Sequence, residues 1–261
     1  MAAETGYWRG KTVLIAGGSG GMGRTIAARF VADGASLYLC DINRNALDEA
    51  ARELGGGAAK AIEADITQVA DCARAINAAV DESGRLDLPI NAAGIWTEGP
   101  SEAATEAEWD RVIDVNLKGT FFMCRYAIPH LEKTGGGIIN ISSDAGIIGS
   151  KGAAIYCASK GGVNLLTKSL ARELAARGIR VNAICPCDVA TPMIEYQANT
   201  FGGGDPEAYK RALLEIYPQG ARARFATPVE IAAFVYFVAS PEAAPITGAC
   251  LSIDFGTTAG L

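Results

Sequence analysis

The sequence of 261 residues has little that could bind a transition metal. It contains one histidine, His130, and its seven cysteines are scattered and odd in number, which favours free thiols over a disulfide framework. Cys185 and Cys187 lie close together, but two thiols without further partners do not make a tetrahedral zinc site. We therefore expect no metal centre. A lone histidine without a Gly-x-Ser-x-Gly elbow also argues against a Ser-His-Asp hydrolase.

Long apolar runs and basic clusters are missing as well. No stretch of about 18 apolar residues occurs, so we predict no membrane span. Segment 1–10 contains Glu4 and lacks the apolar core of a signal peptide, so we expect a cytoplasmic protein. The formal charge is -6 and no segment concentrates Lys or Arg. Nucleic acid and anionic membranes are therefore not expected partners.

The sequence does contain short apolar segments that alternate with helical patterns. Hydrophobic residues make up 49% of the chain, enough for a large core. Repeated βα units with nearly continuous apolar strands predict an α/β fold, a doubly wound Rossmann-type parallel sheet with helices on both faces. With no linker or low-complexity tract, we predict one domain over residues 1–261. The predicted strands are Thr12–Ala16, Ser36–Cys40, Ala59–Glu63, Leu86–Asn91, Gly137–Ser142, Ile179–Cys185 and Ala249–Ile253.

A glycine-rich segment follows the first predicted strand. Glycines at such a turn allow the backbone to approach a pyrophosphate, and the N-terminus of the next helix offers free N–H groups and a positive dipole. A turn that merely tolerates glycine is the alternative, but the position after the first strand favours a dinucleotide site. The residues expected at the phosphates are Gly17, Ser19, Gly20, Gly21, Met22 and Gly23.

Acidic residues end the second strand and follow the third. A carboxylate at Asp41 would accept hydrogen bonds from the adenosine ribose and repel a 2′-phosphate, so we predict NAD(H) rather than NADP(H). Capping of the next helix is the alternative role for Asp41. Ile42 belongs to the same predicted site. Asp65 is expected at the adenine amino group with Ile66 beside the ring, although an exposed turn aspartate is the competing interpretation.

Tyr156 and Lys160 are four residues apart, and Ser143 lies thirteen residues before the tyrosine. One helical turn places the phenol and the ammonium on one helix face. We expect the cation to favour the phenolate and to lower the tyrosine pKa from about 10, so that the group exchanges a proton with an alcohol or carbonyl. The alternative is an ordinary buried aromatic beside a solvated charge.

Taken together with Asn116 and the segment Asn91-Ala92-Ala93-Gly94, these motifs resemble the short-chain dehydrogenase/reductase family over nearly the whole chain. The resemblance implies a seven-stranded parallel sheet and an oligomer, here expected to be a homotetramer. It implies that Tyr156 is the general acid/base and that Ser143 holds the substrate oxygen. Lys160 would hold the nicotinamide ribose, and Asn116 would anchor a water on a proton path.

The resemblance also extends the cofactor site. Asn91, Ala92 and Gly94 would stabilise the central strand and line the adenosine side. The segment from Pro186 to Thr191 is similar to the loop that holds the nicotinamide carboxamide, here through Val189 and Thr191. Tyr156 and Lys160 complete this set. A departure from the family pattern is Cys187, which replaces a usual glycine and places a thiol near the nicotinamide.

Residues from about 190 to 218 are similar to the family's substrate lid, with an irregular start and glycines 202–204 as hinges. A helix pair packed on the core is the alternative. Trp96, Asp144 and Tyr196 are candidate substrate contacts. The aromatic residues favour a cyclic or hydrophobic secondary alcohol over a short polar diol.

The predicted activity is therefore hydride transfer between NAD(H) and a small-molecule secondary alcohol or ketone. One alternative is a 3-oxoacyl-carrier-protein reductase, against which Asp41 argues. A sugar-nucleotide epimerase is disfavoured by the glycine spacing. A non-catalytic NAD-sensing protein is disfavoured because Ser143, Tyr156 and Lys160 are all present.

Overall fold

The computed structural model describes residues 6–55 and 57–259. Residues 1–5 lie outside the described part, as do Gly56 and the last two residues. They include Glu4, on which the expectation of no signal peptide rests. Between residues 6 and 259, the strands are β1 (Thr12–Ala16), β2 (Ser36–Asp41), β3 (Ala59–Glu63), β4 (Leu88–Asn91), β5 (Gly137–Ile141), β6 (Arg180–Pro186) and β7 (Cys250–Ile253).

These strands form one seven-stranded sheet of order β3-β2-β1-β4-β5-β6-β7, and every neighbouring pair is parallel. The chain runs outward from β1 to β3 and then crosses back to β4 on the other side of β1. The order of strands therefore reverses between β1 and β4, and ligands bind such sheets in the crevice at that reversal. The predicted doubly wound α/β architecture is confirmed.

Helices cover both faces of this sheet. The α-helices of the described chain are α1 (Gly21–Ala32), α2 (Arg44–Glu53), α3 (Val69–Ser83), α4 (Glu106–Ile113), α5 (Thr120–Thr134), α6 (Ala154–Leu174), α7 (Pro192–Phe201), α8 (Pro206–Glu215) and α9 (Pro228–Ala239). None of them is both long and apolar enough to cross a bilayer.

The two faces of the sheet build two cores because strand side chains alternate. Val13 and Ile15 of β1 pack with α1, α2 and α9, whereas Leu14 and Ala16 pack with α3, α5 and α6. Burial on both sides explains why β1 reads as an unbroken apolar run rather than an alternating one.

Two helical segments refine the sequence prediction. The region expected to be one long helix or two is α4 and α5 joined by a π-helical turn, Asp114–Gly119, and such turns often mark functional positions. The expected irregular start of the 190–218 segment is wrong, because α7 begins at Pro192, whose fixed φ suits the first helical position. We call α7 and α8 the two-helix lid after the role predicted for this segment, which stays a prediction.

Candidate active site

The backbone around the glycine loop between β1 and α1 leaves no room for a side chain at Gly17 or at Gly23. Gly17 has φ of +77°, and a Cβ there would lie 2.5 Å from the backbone nitrogen of Ala93. A Cβ at Gly23 would lie 2.1 Å from the carbonyl oxygen of Gly17. Close contact between the loop, α1 and the end of β4 therefore requires glycine at both positions.

An open cleft of about 730 Å³ begins at this loop and reaches the ends of β2 and β3. The N-terminus of α1 borders it, and no acidic residue occupies the first turn of that helix. Its first N–H groups lack helical partners and suit a phosphate. Thirteen predicted residues line the cleft: Gly17, Ser19, Gly20, Gly21, Met22, Gly23, Asp41, Ile42, Asp65, Ile66, Ala92, Gly94 and Thr191. The cleft therefore fits a dinucleotide.

Asp41 lies against the glycine loop. One carboxylate oxygen accepts a hydrogen bond from the Ser19 hydroxyl at 2.6 Å, and the other accepts from the Ile42 backbone at 2.8 Å. The alternative capping role is wrong, because the Asn43 side chain caps α2 by accepting from the backbone of Ala46. The carboxylate thus faces the cleft, where a ribose hydroxyl would compete with Ser19 for the same oxygen.

Arg24 is a wall residue of the cleft that the sequence prediction missed. Its guanidinium donates to the Ser19 carbonyl and pairs with Glu49 and Glu53 at 2.9 and 3.0 Å. Those carboxylates already engage its positive charge, which leaves Arg24 poorly placed to attract an additional phosphate. No motif in the sequence would have revealed this pairing, since 25 and 29 residues separate the partners.

Asp65 is a turn residue that also lines the cleft, and its contact with the adenine amino group stays a prediction. It lines the cleft, and its Oδ1 accepts from the backbone and hydroxyl of Thr67 at 2.9 and 2.8 Å, which makes it a turn residue as well. Asn91 stabilises the central strand as expected but does not line the cleft. Its buried Nδ2 donates to Asn140 on β5 at 2.8 Å, so it cross-links strands instead of lining the cleft.

Tyr156 and Lys160 lie on α6 and are both buried. The Trp96 ring packs on the tyrosine ring, with centroids 4.4 Å apart. The Lys160 ammonium donates to the carbonyl of Ile141 at 2.9 Å and lies 5.7 Å from the centre of the tyrosine ring. Ser143 follows β5, where its hydroxyl donates to the Asp144 carboxylate at 2.8 Å.

The pKa of Tyr156 moves opposite to our expectation. Burial raises it above the ordinary value, the Ser143 hydrogen bond acts in the other direction, and the charges of Asp144 and Asp188 raise it further. Burial also lowers the pKa of Lys160 to about 8. The protein groups around the ring therefore favour the neutral phenol, and desolvation is the largest cause.

Asn116 lies in the π-helical turn and is fully buried. Its Oδ1 accepts from the Ile95 backbone at 2.8 Å, and its Nδ2 donates to the Ile95 carbonyl and the Ser159 hydroxyl. It thereby joins the loop after β4 to α6 and brings Gly94 close to Lys160, whose ammonium would be 3.3 Å from a Cβ at position 94. Its role as an anchor for water stays a prediction.

A second cavity of about 580 Å³ lies beneath the two-helix lid. Its walls include the predicted residues Trp96, Ser143, Asp144, Tyr156, Pro186 and Val189. Met22, Thr191 and Met193 line both this cavity and the dinucleotide cleft, so the two spaces adjoin. Tyr156 and Ser143 thus lie in the wall of a cavity that adjoins the dinucleotide cleft.

Tyr196 is a correction to the predicted substrate contacts. Met193, Ile194 and Gln197 of α7 line the cavity, whereas the Tyr196 side chain is 47% exposed on another side of the helix and packs against Phe201. Helical periodicity explains the difference, since residues 193, 194 and 197 share a face that position 196 does not.

Three carboxylates line the cavity, of which Glu98 and Asp188 were missed by sequence reasoning. Burial, with the charge of Asp144, raises the pKa of Asp188 to about 6, and burial also raises that of Asp144. The Tyr217 hydroxyl donates to Asp188 at 3.0 Å. Lys151 also lines the cavity, whose ionisable walls are thus mainly acidic.

The cysteine near the predicted nicotinamide site, Cys187, is a weakly acidic thiol. Cys187 is buried in the cavity wall, and burial raises its pKa to about 11.

Across residues 6–55 and 57–259, no cluster of three or more histidine, cysteine, aspartate or glutamate side chains forms a candidate metal centre.

The sheet, glycine loop and cleft define a Rossmann-type α/β fold, a class in which dinucleotides bind at this end of the sheet. Residues 11–200 match the family model of the short-chain dehydrogenases, and the chain belongs to that family. It is 42% identical over 259 residues to 3beta-hydroxysteroid dehydrogenase 1 of Eggerthella lenta, covering 96% of this chain and 94% of the relative.

Two further comparisons show the range of relatives. Meso-2,3-butanediol dehydrogenase of Serratia marcescens is 36% identical, with 95% of each chain covered. The crystal structure of 3-ketoacyl-(acyl-carrier-protein) reductase from Brucella melitensis complexed with NADH superposes with a TM-score of 0.84 at 31% identity, covering 96% of this chain and 99% of that one.

Proposed function

We propose that this chain transfers hydride between NAD(H) and a cyclic or hydrophobic secondary alcohol or ketone. The observation that carries the proposal is the placement of Tyr156 and Ser143 in the wall of a cavity that adjoins the dinucleotide cleft. A reacting oxygen in that cavity would lie beside the hydroxyl groups of Tyr156 and Ser143. When bound, the nicotinamide supplies or accepts the hydride, and the residues of this chain orient the reactants and move the proton.

The roles of the side chains follow from their contacts. In ketone reduction, the neutral phenol of Tyr156 donates a proton to the oxygen, and in alcohol oxidation the phenolate accepts it. Ser143 would hydrogen-bond the same oxygen once its hydroxyl, which donates to Asp144 at 2.8 Å in the structure, turns toward the substrate. Lys160, buried behind the ring, places a cation where negative charge on Tyr156 would develop.

NAD(H) is favoured over NADP(H) by the charge around the adenosine end of the cleft. Asp41 lines that end and would repel a 2′-phosphate, while Arg24 is paired with two glutamates. The NADH complex of a structural relative is consistent with a nicotinamide cofactor.

Named relatives include enzymes for a steroid and for a small diol, so the relatives do not indicate one substrate class. We therefore propose the substrate class from the walls of the cavity. Trp96, Met193, Leu213 and Ile216 give the cavity apolar walls that suit a ring or chain of carbons. Its carboxylates disfavour an anionic substrate. The cation of Lys210 on α8 pairs with Glu195 and Glu207 of the two-helix lid.

The test is a matrix of substrates and cofactors followed by NADH and NADPH absorbance. The panel contains cyclic and aromatic ketones, a small acyclic diol with its hydroxyketone, and an acetoacetyl thioester. We expect the highest kcat/KM with a cyclic or aromatic ketone and a lower KM for NADH than for NADPH. Best activity on the diol pair or the thioester would contradict the substrate class, and a preference for NADPH would contradict the cofactor.

We further propose that the protein is a homotetramer. Trp109 on α4, Phe121 on α5 and Leu165 on α6 are exposed, and Leu165 keeps 69% of its surface accessible. Large apolar side chains on neighbouring helices are typical of an interface between subunits. Light scattering is expected to give about four times the 27.1 kDa chain mass. A monomer-sized particle would contradict this proposal.

A further inference from the structure

Glu98 links the lid to the loop after β4. One carboxylate oxygen, Oε2, accepts from the Trp96 indole N–H at 2.8 Å and from the Tyr209 hydroxyl at 2.6 Å. Tyr209 belongs to α8 and lies 111 residues further along the chain. All three side chains line the substrate cavity, so the link spans its wall.

The link continues to the proton-transfer residue. Two contacts hold the Trp96 side chain in place. Its indole N–H donates to Glu98, and its ring packs on the Tyr156 ring at a centroid distance of 4.4 Å and an interplanar angle of 55°. A continuous series of contacts therefore runs from the lid helix α8 through Glu98 and Trp96 to the tyrosine ring. Burial, with the Glu98 hydrogen bond, raises the pKa of Tyr209 and keeps its hydroxyl a donor.

We infer that Glu98 is a positioning residue that fastens α8 over the substrate cavity and, through the same oxygen, fixes Trp96 against Tyr156. The inference rests on the proposed function. Hydrogen bonds to a carboxylate are stronger than those between neutral groups, and a shared acceptor makes the lid and the indole depend on one side chain. Glu98 thus affects substrate binding through Tyr209 and the orientation of the Tyr156 ring through Trp96.

The two hydrogen bonds of Glu98, one to Tyr209 and one to Trp96, predict different kinetic effects. Tyr209→Phe removes only the lid bond, so we expect KM for the best ketone to rise about 10-fold with kcat within about 2-fold. Glu98→Ala removes both bonds, so we expect the same rise in KM together with a fall in kcat of about 10-fold. Glu98→Gln keeps an acceptor oxygen and should restore most of both parameters.

A double-mutant cycle and tryptophan emission separate positioning from general destabilisation. Glu98→Ala/Tyr209→Phe should show no larger KM than Glu98→Ala alone, because both changes break the same bond. The emission spectrum should differ between wild type and Glu98→Ala, and this difference should vanish in a Trp96→Phe background. Tyr126→Phe, which removes a phenolic hydroxyl on α5 away from the cavity, is the matched control and should leave all parameters unchanged.

Unchanged KM in Tyr209→Phe, or a double variant whose KM effect is the product of the single effects, would overturn the inference. An equal loss of activity and of NADH affinity in Glu98→Gln would also overturn it, because that pattern indicates damage to the whole fold. Should the wild type show no turnover, the proposed function fails. Hydrogen exchange then tests the link separately, since α8 amides must exchange faster in Tyr209→Phe and Glu98→Ala but not in Tyr126→Phe.

Discussion

Replacing Tyr156 by phenylalanine should lower kcat by about 10²–10⁴-fold, the usual contribution of a positioned proton donor. The variant keeps the ring that packs on Trp96 and loses only the hydroxyl group. Because Tyr156 lies in the substrate cavity and does not line the dinucleotide cleft, NADH affinity should stay within about 2-fold of wild type. Steady-state kinetics and a fluorescence titration with NADH measure the two quantities.

A Tyr156→Phe variant that retained more than about a tenth of wild-type kcat would refute the acid/base role, since the effect would be below the expected range. Ser143→Ala is a useful companion. It leaves the phenol intact but removes the second hydroxyl at the reacting oxygen, and it should lower kcat by less than the tyrosine substitution does.

Replacing Gly23 by alanine should weaken NADH binding by about 10- to 100-fold, the equivalent of 1–3 kcal/mol of overpacking. The new Cβ would lie 2.1 Å from the carbonyl oxygen of Gly17 and 2.9 Å from the Cα of Gly18, so loop and helix must move apart. Such a shift changes the position of the N–H groups that face the phosphates. NADH titration and thermal unfolding report the loss of affinity and of stability.

Gly57→Ala is the matched control, because Gly57 is exposed and an added Cβ there meets no atom within 4 Å. It should bind NADH like the wild type. If Gly23→Ala also bound NADH with wild-type affinity, the loop between β1 and α1 would not be the phosphate site, and the proposed placement of the dinucleotide would be wrong.

Local sequence signals were enough to predict most of the framework. Strands buried on both faces must be apolar throughout, so Thr12–Ala16 could be recognised without knowing its neighbours. The glycine loop was equally readable, because backbone contacts as close as that at Gly23 admit no other residue. The order of βα units then allowed the parallel sheet to be predicted.

The remaining features depend on contacts that sequence spacing does not encode. The direction of the Tyr156 pKa shift is set by desolvation, which arises only when Trp96 and the cavity walls surround the ring. The bond between Glu98 and Tyr209 joins residues 111 positions apart. Asn91 stabilises the central strand as expected, but its absence from the cleft was not predicted, because the motif could not show which way the side chain points.

The dinucleotide cleft and the cavity have three side chains in common, Met22, Thr191 and Met193. A single substitution at any of these positions therefore changes the walls of both spaces at once.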